Sequence, residues 1–202
     1  MNQKIYKHLA KDKKLKVALD KVKELDPPRS SGDVYYDLVR SIAFQQLSGK
    51  AATTIFNRFL ELFEDVYPHP TQVLDFEIED LRGVGFSRQK SSYIQNIAQF
   101  FLDNDGVQEF CENESDEAII KYLTQIKGVG VWTVQMVLMF TLERPDVFPD
   151  GDLGIQQGMM GLYNIKVKNK KELLKKMNKL AEPWKPYRTY GSRFIWRWKD
   201  DS

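Results

Sequence analysis

The sequence is poor in the residues that build metal and disulfide chemistry. Its 202 residues include one cysteine, Cys111, and two histidines, His8 and His69. A single cysteine excludes an internal disulfide and a four-cysteine zinc or iron–sulfur site. With so few histidines there is little material for a His/Cys zinc centre either. No apolar run approaches the roughly 20 residues that a bilayer-spanning helix needs. The first residues, MNQKIYKH, lack the apolar stretch of a signal peptide. The expectation is a protein of a reducing, intracellular compartment with no membrane association. Net charge is also nearly absent, at +2, so global charge selects no partner.

The distribution of charge says more than its sum. Lys4, Lys7, Lys11, Lys13, Lys14, Lys16, Lys21 and Lys23 crowd the first two dozen residues, and a second cluster spans Lys166 to Lys179. Each fits either a solvated helix face or a basic face for a polyanion. Hydrophobic residues make up 42% of the chain, enough for a packed core. Apolar residues recur at helical spacing over 35–44, 51–63, 91–101 and 116–126. The stretch 131–142 is apolar almost all round, which predicts a buried central helix. Residues 170–181 read as a basic amphipathic helix, and no segment alternates with period two. The fold class expected is all-α. Residues 1–34 read as a basic helical extension packing on the core, and 35–202 as the main domain.

Two stretches carry the chemistry. Leu123 to Met136 reads LTQIKGVGVWTVQM, a Gly-x-Gly turn between apolar helical patterns. Glycines permit positive φ and close approach of a ligand to the backbone. The following helix start offers N–H groups and partial positive charge, which suits a phosphate. Taken alone, the turn reads more simply as an ordinary helix connection. A similar turn, Gly83-Val84-Gly85, precedes it and is either a duplicated hairpin or a coincidence. The second stretch is Phe148 to Ile155, FPDGDLGI. Asp152 there opens a helical pattern, so it is a candidate N-cap and a candidate catalytic carboxylate, with Asp150 competing for either role.

Together these stretches resemble the helix-hairpin-helix and the Gly/Pro-rich loop with aspartate of the HhH-GPD family of DNA glycosylases. The resemblance runs from about Tyr35 to Trp198, with the hairpin at about 123–136 and the catalytic loop at about 145–155. It implies two helical lobes with a catalytic cleft between them, in a short, all-helical form of the family. It implies that Asp152 is catalytic, with the hairpin residues Gly128, Val129 and Gly130 on DNA phosphate. It also implies that backbone carbonyls of Thr124, Ile126 and Val129 hold a monovalent cation, Na+ or K+. No other cofactor is required, and no iron–sulfur cluster is expected.

Finer motifs narrow the branch. Family members that also cut the DNA backbone carry a lysine nucleophile two residues after the second hairpin glycine. This chain has Trp132 there, as in the alkylpurine branch, which resembles DNA-3-methyladenine glycosylase II. That implies a monofunctional enzyme that uses water and leaves an abasic site. Trp132, Met136 and Trp196 match the pocket for the flipped base. An aromatic face suits an electron-deficient purine. Met136 and Arg197 stand where a bacterial member has aromatic residues. Trp184, Tyr187 and Arg188 read as packing and framework. The segment Phe44 to Ala52, FQQLSGKAA, resembles the family's minor-groove probe. Leu47 would be the wedge, Gln46 the filler of the gap, and Ser48 a minor-groove contact. Without the resemblance, Trp132 reads as a core residue, and 46–48 equally well as a polar helix end with Leu47 buried. Arg88 and Lys90, after the first Gly-x-Gly turn, read as candidate contacts to the DNA backbone.

The function expected is excision of alkylated purines, of the 3-methyladenine and 7-methylguanine type, from duplex DNA in base excision repair. The alternatives are a relative for deaminated or oxidised bases, and a non-catalytic module that senses damage. The expected partner is duplex DNA bound by a monomer, in the cytoplasm or nucleoid of a bacterium or the nucleus of a eukaryote.

Overall fold

A computed structural model describes residues 2–27, 31–45, 47 and 49–200. Among them are α-helices and short 3-10 and π segments, and no strand. The helices are α1 (Gln3–Leu9), α2 (Lys13–Val22), α3 (Val34–Phe44), α4 (Gly49–Leu60), α5 (Pro70–Asp75), α6 (Ile78–Gly83), α7 (Arg88–Asp103) and α8 (Val107–Asn113). There follow α9 (Asp116–Leu123), α10 (Val131–Met136), a π segment (Val137–Thr141), α11 (Leu153–Tyr163), α12 (Lys170–Ala181) and α13 (Arg188–Asp200). None of them is long and apolar enough to cross a membrane.

Many helix starts are written in the sequence as caps. Asp12, Asp33, Ser87, Ser115, Asp152 and Asn169 each sit one residue before a helix and accept a backbone N–H of its first turn. Such a cap satisfies donors that the helix cannot pair itself.

The chain forms two compact units, Met1–Pro28 with Glu143–Ser202, and Arg29–Leu142. The sequence reading sets a boundary at 34/35 from where the family motifs begin; the units follow contacts instead. In the first, α1 and α2 join α11, α12 and α13. Leu9, Leu15, Leu19, Ile155, Met159, Met177, Trp184 and Phe194 form one buried cluster there. Asp12 ties the N-terminal helices into it. Its Oδ2 accepts Tyr163 Oη–H at 2.6 Å and Trp184 Nε1–H at 3.0 Å, while Oδ1 caps α2. In the second unit, α3 packs on α7, α4 and α10, and Leu38, Ile42, Ile94, Ile97, Val134 and Leu138 are buried.

The expected continuous helix over 131–142 is two segments. Its first two residues are exposed, Val131 at 51% and Trp132 at 38%, while Thr133 and Val134 beside them are buried. From Val137 the chain widens to a π turn, in which Leu142 N–H reaches Val137 C=O at 3.0 Å. That turn sets Thr141 Oγ1 2.8 Å from Asp37 Oδ2, a buried polar pair between this segment and α3. Single π turns inside helices are frequent at functional sites.

Candidate active site

In the first unit the site centres on Asp152. Pro149 C=O accepts its N–H at 3.0 Å, so the loop makes a tight turn into α11. The side chain then caps the helix, with Oδ1 accepting Ile155 N–H at 2.8 Å. The same oxygen accepts Trp196 Nε1–H, also at 2.8 Å. Cap and indole together fix the carboxylate in one rotamer, half-buried at the positive end of α11.

This closeness of α11 to α13 depends on residues without side chains. A Cβ on Gly154 would lie 3.0 Å from Asp152 Oδ1 and from Trp196 Cδ1 and Nε1. One turn on, a Cβ on Gly158 would stand 2.4 Å from Ile195 Cγ2. The sequence reading missed this pairing. Its signal was present as Gly154 and Gly158, four residues apart on one helix face.

Asp150, the competing carboxylate, is framework. Its Oδ2 accepts Asn178 Nδ2–H from α12 at 2.7 Å, and its carbonyl accepts Gln156 Nε2–H at 2.8 Å. The loop before it is clamped to the start of α13. Arg188 Nε and Nη2 fork onto the two oxygens of Asp146 at 2.8 and 2.9 Å. Thr189 Oγ1 donates to Arg144 C=O at 2.6 Å and accepts Val147 N–H at 3.0 Å. Arg188 is thus framework, as its position in the sequence implied, and so is fully buried Trp184.

The hairpin and wedge residues belong to the second unit. Gly128 has φ +107°, a region that L side chains rarely adopt, and a Cβ there would lie 2.2 Å from the Tyr93 ring. Gly130 has φ −96° and begins α10 with no capping side chain. Of the two hairpin glycines, then, one is required by conformation and the other opens the helix start. Val129 is buried, and its N–H is used inside the turn, on Ile126 C=O at 3.0 Å. Asn96 Nδ2 braces the turn by donating to Lys127 C=O at 3.0 Å.

Trp132 follows at the exposed start of α10, and Met136 is half-buried one turn on. An exposed Trp132 is not the core residue that its apolar neighbours suggest. Leu47 is likewise 39% exposed rather than buried. Gln46 and Ser48 lie outside the described residues. Arg88 is exposed and ion-paired with Glu79 at 3.9 Å. Lys90 differs from the sequence reading, since its ammonium turns inward onto two carbonyls of the protein.

Among the described residues there is no group of three His, Cys, Asp or Glu side chains placed to hold a metal ion. The carbonyls of Thr124, Ile126 and Val129 lie on the hairpin turn. That of Ile126 already accepts Val129 N–H and keeps a second lone pair.

Residues 39–185 match the family model described as HhH-GPD superfamily base excision DNA repair protein. The chain belongs to the HhH-GPD superfamily. Within it, the chain is 38% identical to DNA-3-methyladenine glycosylase 1 of Schizosaccharomyces pombe, over 81% of this chain and 71% of that protein. Its structure is similar to that of S. pombe 3-methyladenine DNA glycosylase (Mag1) in complex with abasic DNA. The TM-score is 0.82 at 35% identity, over 96% of each chain. It is also similar to a DNA-3-methyladenine glycosidase from Bacillus halodurans, with TM-score 0.80 and 32% identity over 97% of this chain and 88% of that one. The all-helical HhH-GPD fold expected from the hairpin and loop is the fold found.

Proposed function

We propose that this chain is a monofunctional DNA glycosylase that removes alkylated purines, of the 3-methyladenine and 7-methylguanine type, from duplex DNA. The observation that carries the reading is the Asp152 carboxylate, held by Ile155 N–H and Trp196 Nε1–H at 2.8 Å each. Its HhH-GPD relatives, named as 3-methyladenine glycosylases, supply the substrate class.

Cleavage of an N-glycosidic bond moves positive charge onto the deoxyribose. A carboxylate fixed before the reaction stabilises that charge without reorganising. Water adds at C1′, its proton passes through Asp152 to solvent, and the bond electrons go to the base. A purine alkylated at N3 or N7 already carries a positive charge and leaves neutral, so no general acid is required. With Trp132 in place of a lysine at the hairpin, no amine is there to form a Schiff base, and the strand stays intact.

In this proposal Trp132, Met136 and Trp196 receive the flipped base, and Leu47, with Gln46 and Ser48, enters the minor groove. Backbone amides at Gly128, Val129 and Gly130 face a phosphate, with the amide nearest the helix start best placed, since that of Val129 is already engaged. The carbonyls of Thr124, Ile126 and Val129 would hold a monovalent cation, which would add positive charge for DNA phosphate at the hairpin. The enzyme acts as a monomer wherever the genome lies, in a nucleoid or a nucleus.

The test is single-turnover incubation with duplex DNA methylated at defined bases. Release of 3-methyladenine or 7-methylguanine with unbroken strands is expected. Release of only an oxidised or deaminated base would reassign the lesion. Tight binding of the methylated duplex with no release of any base would make the protein a damage sensor.

A further inference from the structure

Helix α3 ends in an unusual way, at the point where the chain turns toward Leu47. The last carbonyls of a helix have no partners within it and carry partial negative charge. Many helices satisfy them with a left-handed residue, commonly glycine. Here Gln45, the C-cap, is extended, with φ −56° and ψ 135°. A cation from another helix does the work instead. Lys90 Nζ donates to Ala43 C=O at 2.8 Å and to Gln45 C=O at 2.7 Å. The first carbonyl belongs to the last turn of α3 and the second to the chain just beyond it, so one ammonium spans the break.

Its placement follows from local structure. Ser87 caps α7, and Lys90 is the residue whose N–H the cap accepts, at 3.2 Å. Ser91 and Ile94, beside it on α7, are fully buried, α7 packs on α3, and the hydrogen bonds of Lys90 place its side chain on the α3 side. Burial pushes the Lys90 ammonium below the ordinary lysine pKa. A lysine whose only role was to meet DNA phosphate would stay in solvent.

Gln45 is held a second time. Its Nε2 donates to Thr133 Oγ1 at 3.3 Å, and Thr133 is a buried residue of α10 next to exposed Trp132. Leu47 lies two residues beyond Gln45, so its Cα is at most about 7 Å from that of Gln45. Fixing the Gln45 carbonyl therefore anchors the chain within that reach of Leu47.

We propose that Lys90 is a positioning residue for the DNA wedge: its ammonium locks the end of α3 so that Leu47 is presented rigidly for base flipping. The proposal rests on the glycosylase reading above. Lys90 touches neither the lesion nor the reacting atoms. It acts on the step in which a stacked base must be displaced, and its loss should matter least where the base is already unstacked.

The experiment compares Lys90→Met, Lys90→Arg, Leu47→Ala and the Lys90→Met/Leu47→Ala double variant. Single-turnover base release is measured on a fully paired alkylated duplex and on one with the lesion opposite an abasic site. Thermal midpoints confirm folding. On the paired duplex Lys90→Met should lose roughly 10- to 100-fold, against less than about 3-fold where stacking is already weak. Lys90→Arg, which keeps a cation with several donors, should recover most of the rate. The double variant should fall no further than the worse single one, because two residues acting through one step are not additive. Equal losses on both duplexes, an unchanged rate, or additive losses would overturn the proposal. Should Lys90→Met fail to fold, Lys90→Gln keeps an uncharged N–H donor group and carries the same comparison. A wild type that releases no base from either duplex would instead defeat the glycosylase reading, and this proposal with it.

Discussion

At the residue scale, the carboxylate proposed as catalytic is defined by what surrounds it. Asp152 is an ordinary N-cap by position, and the reading of such a residue as a cap alone is usually sufficient. Asp12 also takes an indole N–H, but on the oxygen that does not cap its helix; at Asp152 the indole of Trp196 reaches the same oxygen that caps α11. Gly154 makes that approach possible, with no more than 3.0 Å between its missing Cβ and either partner. Gly154→Ala is therefore expected to lower single-turnover base release by about 10-fold, from a displaced indole and carboxylate, with little change in helix content. The matching control is Gly158→Ala, where the new methyl meets Ile195 at 2.4 Å in the core. That change should cost about 1–3 kcal/mol in denaturant unfolding. If both variants lost stability equally and neither lost release rate, the pairing of Trp196 with Asp152 would have no catalytic weight.

At the element scale, the hairpin is the clearest case of a turn whose sequence states its purpose. Gly128 combines positive φ with direct contact between its backbone and the Tyr93 ring. Gly128→Ala is expected to destabilise the protein by about 2–4 kcal/mol, partly from backbone strain and partly from overlap with the ring. In a Tyr93→Ala background the overlap disappears and only the backbone part, about 1–2 kcal/mol, should remain. Urea unfolding of the four proteins measures both parts. A full-sized loss in the Tyr93→Ala background would mean that backbone strain alone makes the glycine necessary. The helices over 34–44, 88–103, 116–123 and 170–181 were legible in the sequence because cap residues and apolar period agree there. The segment 131–142 was not, because its period continues unbroken while the hydrogen bonding changes to a π turn at Val137. Nothing in a single period reports that Thr141 is drawn to Asp37. Helix α13 was also missed as a helix, since its aromatic and basic residues, RTYGSRFIWRWKD, mask the face that packs on α11 and α2.

At the scale of the whole molecule, the two compact units were less legible than the family. Hairpin, loop and aspartate lie close together in sequence and mark the superfamily. The grouping of residues 1–28 with 143–202 depends on contacts between distant parts of the chain. Asp12 is the hub of that grouping. Burial alone would raise its pKa, but Tyr163 O–H, Trp184 N–H and the amides of Leu15 and Lys14 outweigh it and hold the carboxyl below the ordinary aspartate value. A carboxyl depressed on folding contributes stability that is complete above its unfolded pKa, about 3.9, and is lost as pH falls through the lower folded value. Asp12→Ala should cost about 2 kcal/mol near neutral pH, with the difference from wild type shrinking below about pH 4. Thermal unfolding from pH 7 to pH 3 checks this, and a gap that widened in acid would contradict the assignment.

The central claim is that base release depends on the charge of Asp152. Asp152→Asn isolates that charge, since the amide oxygen can still accept both Ile155 N–H and Trp196 Nε1–H and so keep the cap and the indole in place. The decisive measurement is single-turnover release of 3-methyladenine and 7-methylguanine from duplex DNA by wild type and Asp152→Asn, with strand integrity followed in the same samples. The account predicts release by wild type with intact strands and a loss of about 100-fold or more in the variant, with binding to abasic DNA retained. Release by Asp152→Asn at the wild-type rate would contradict it.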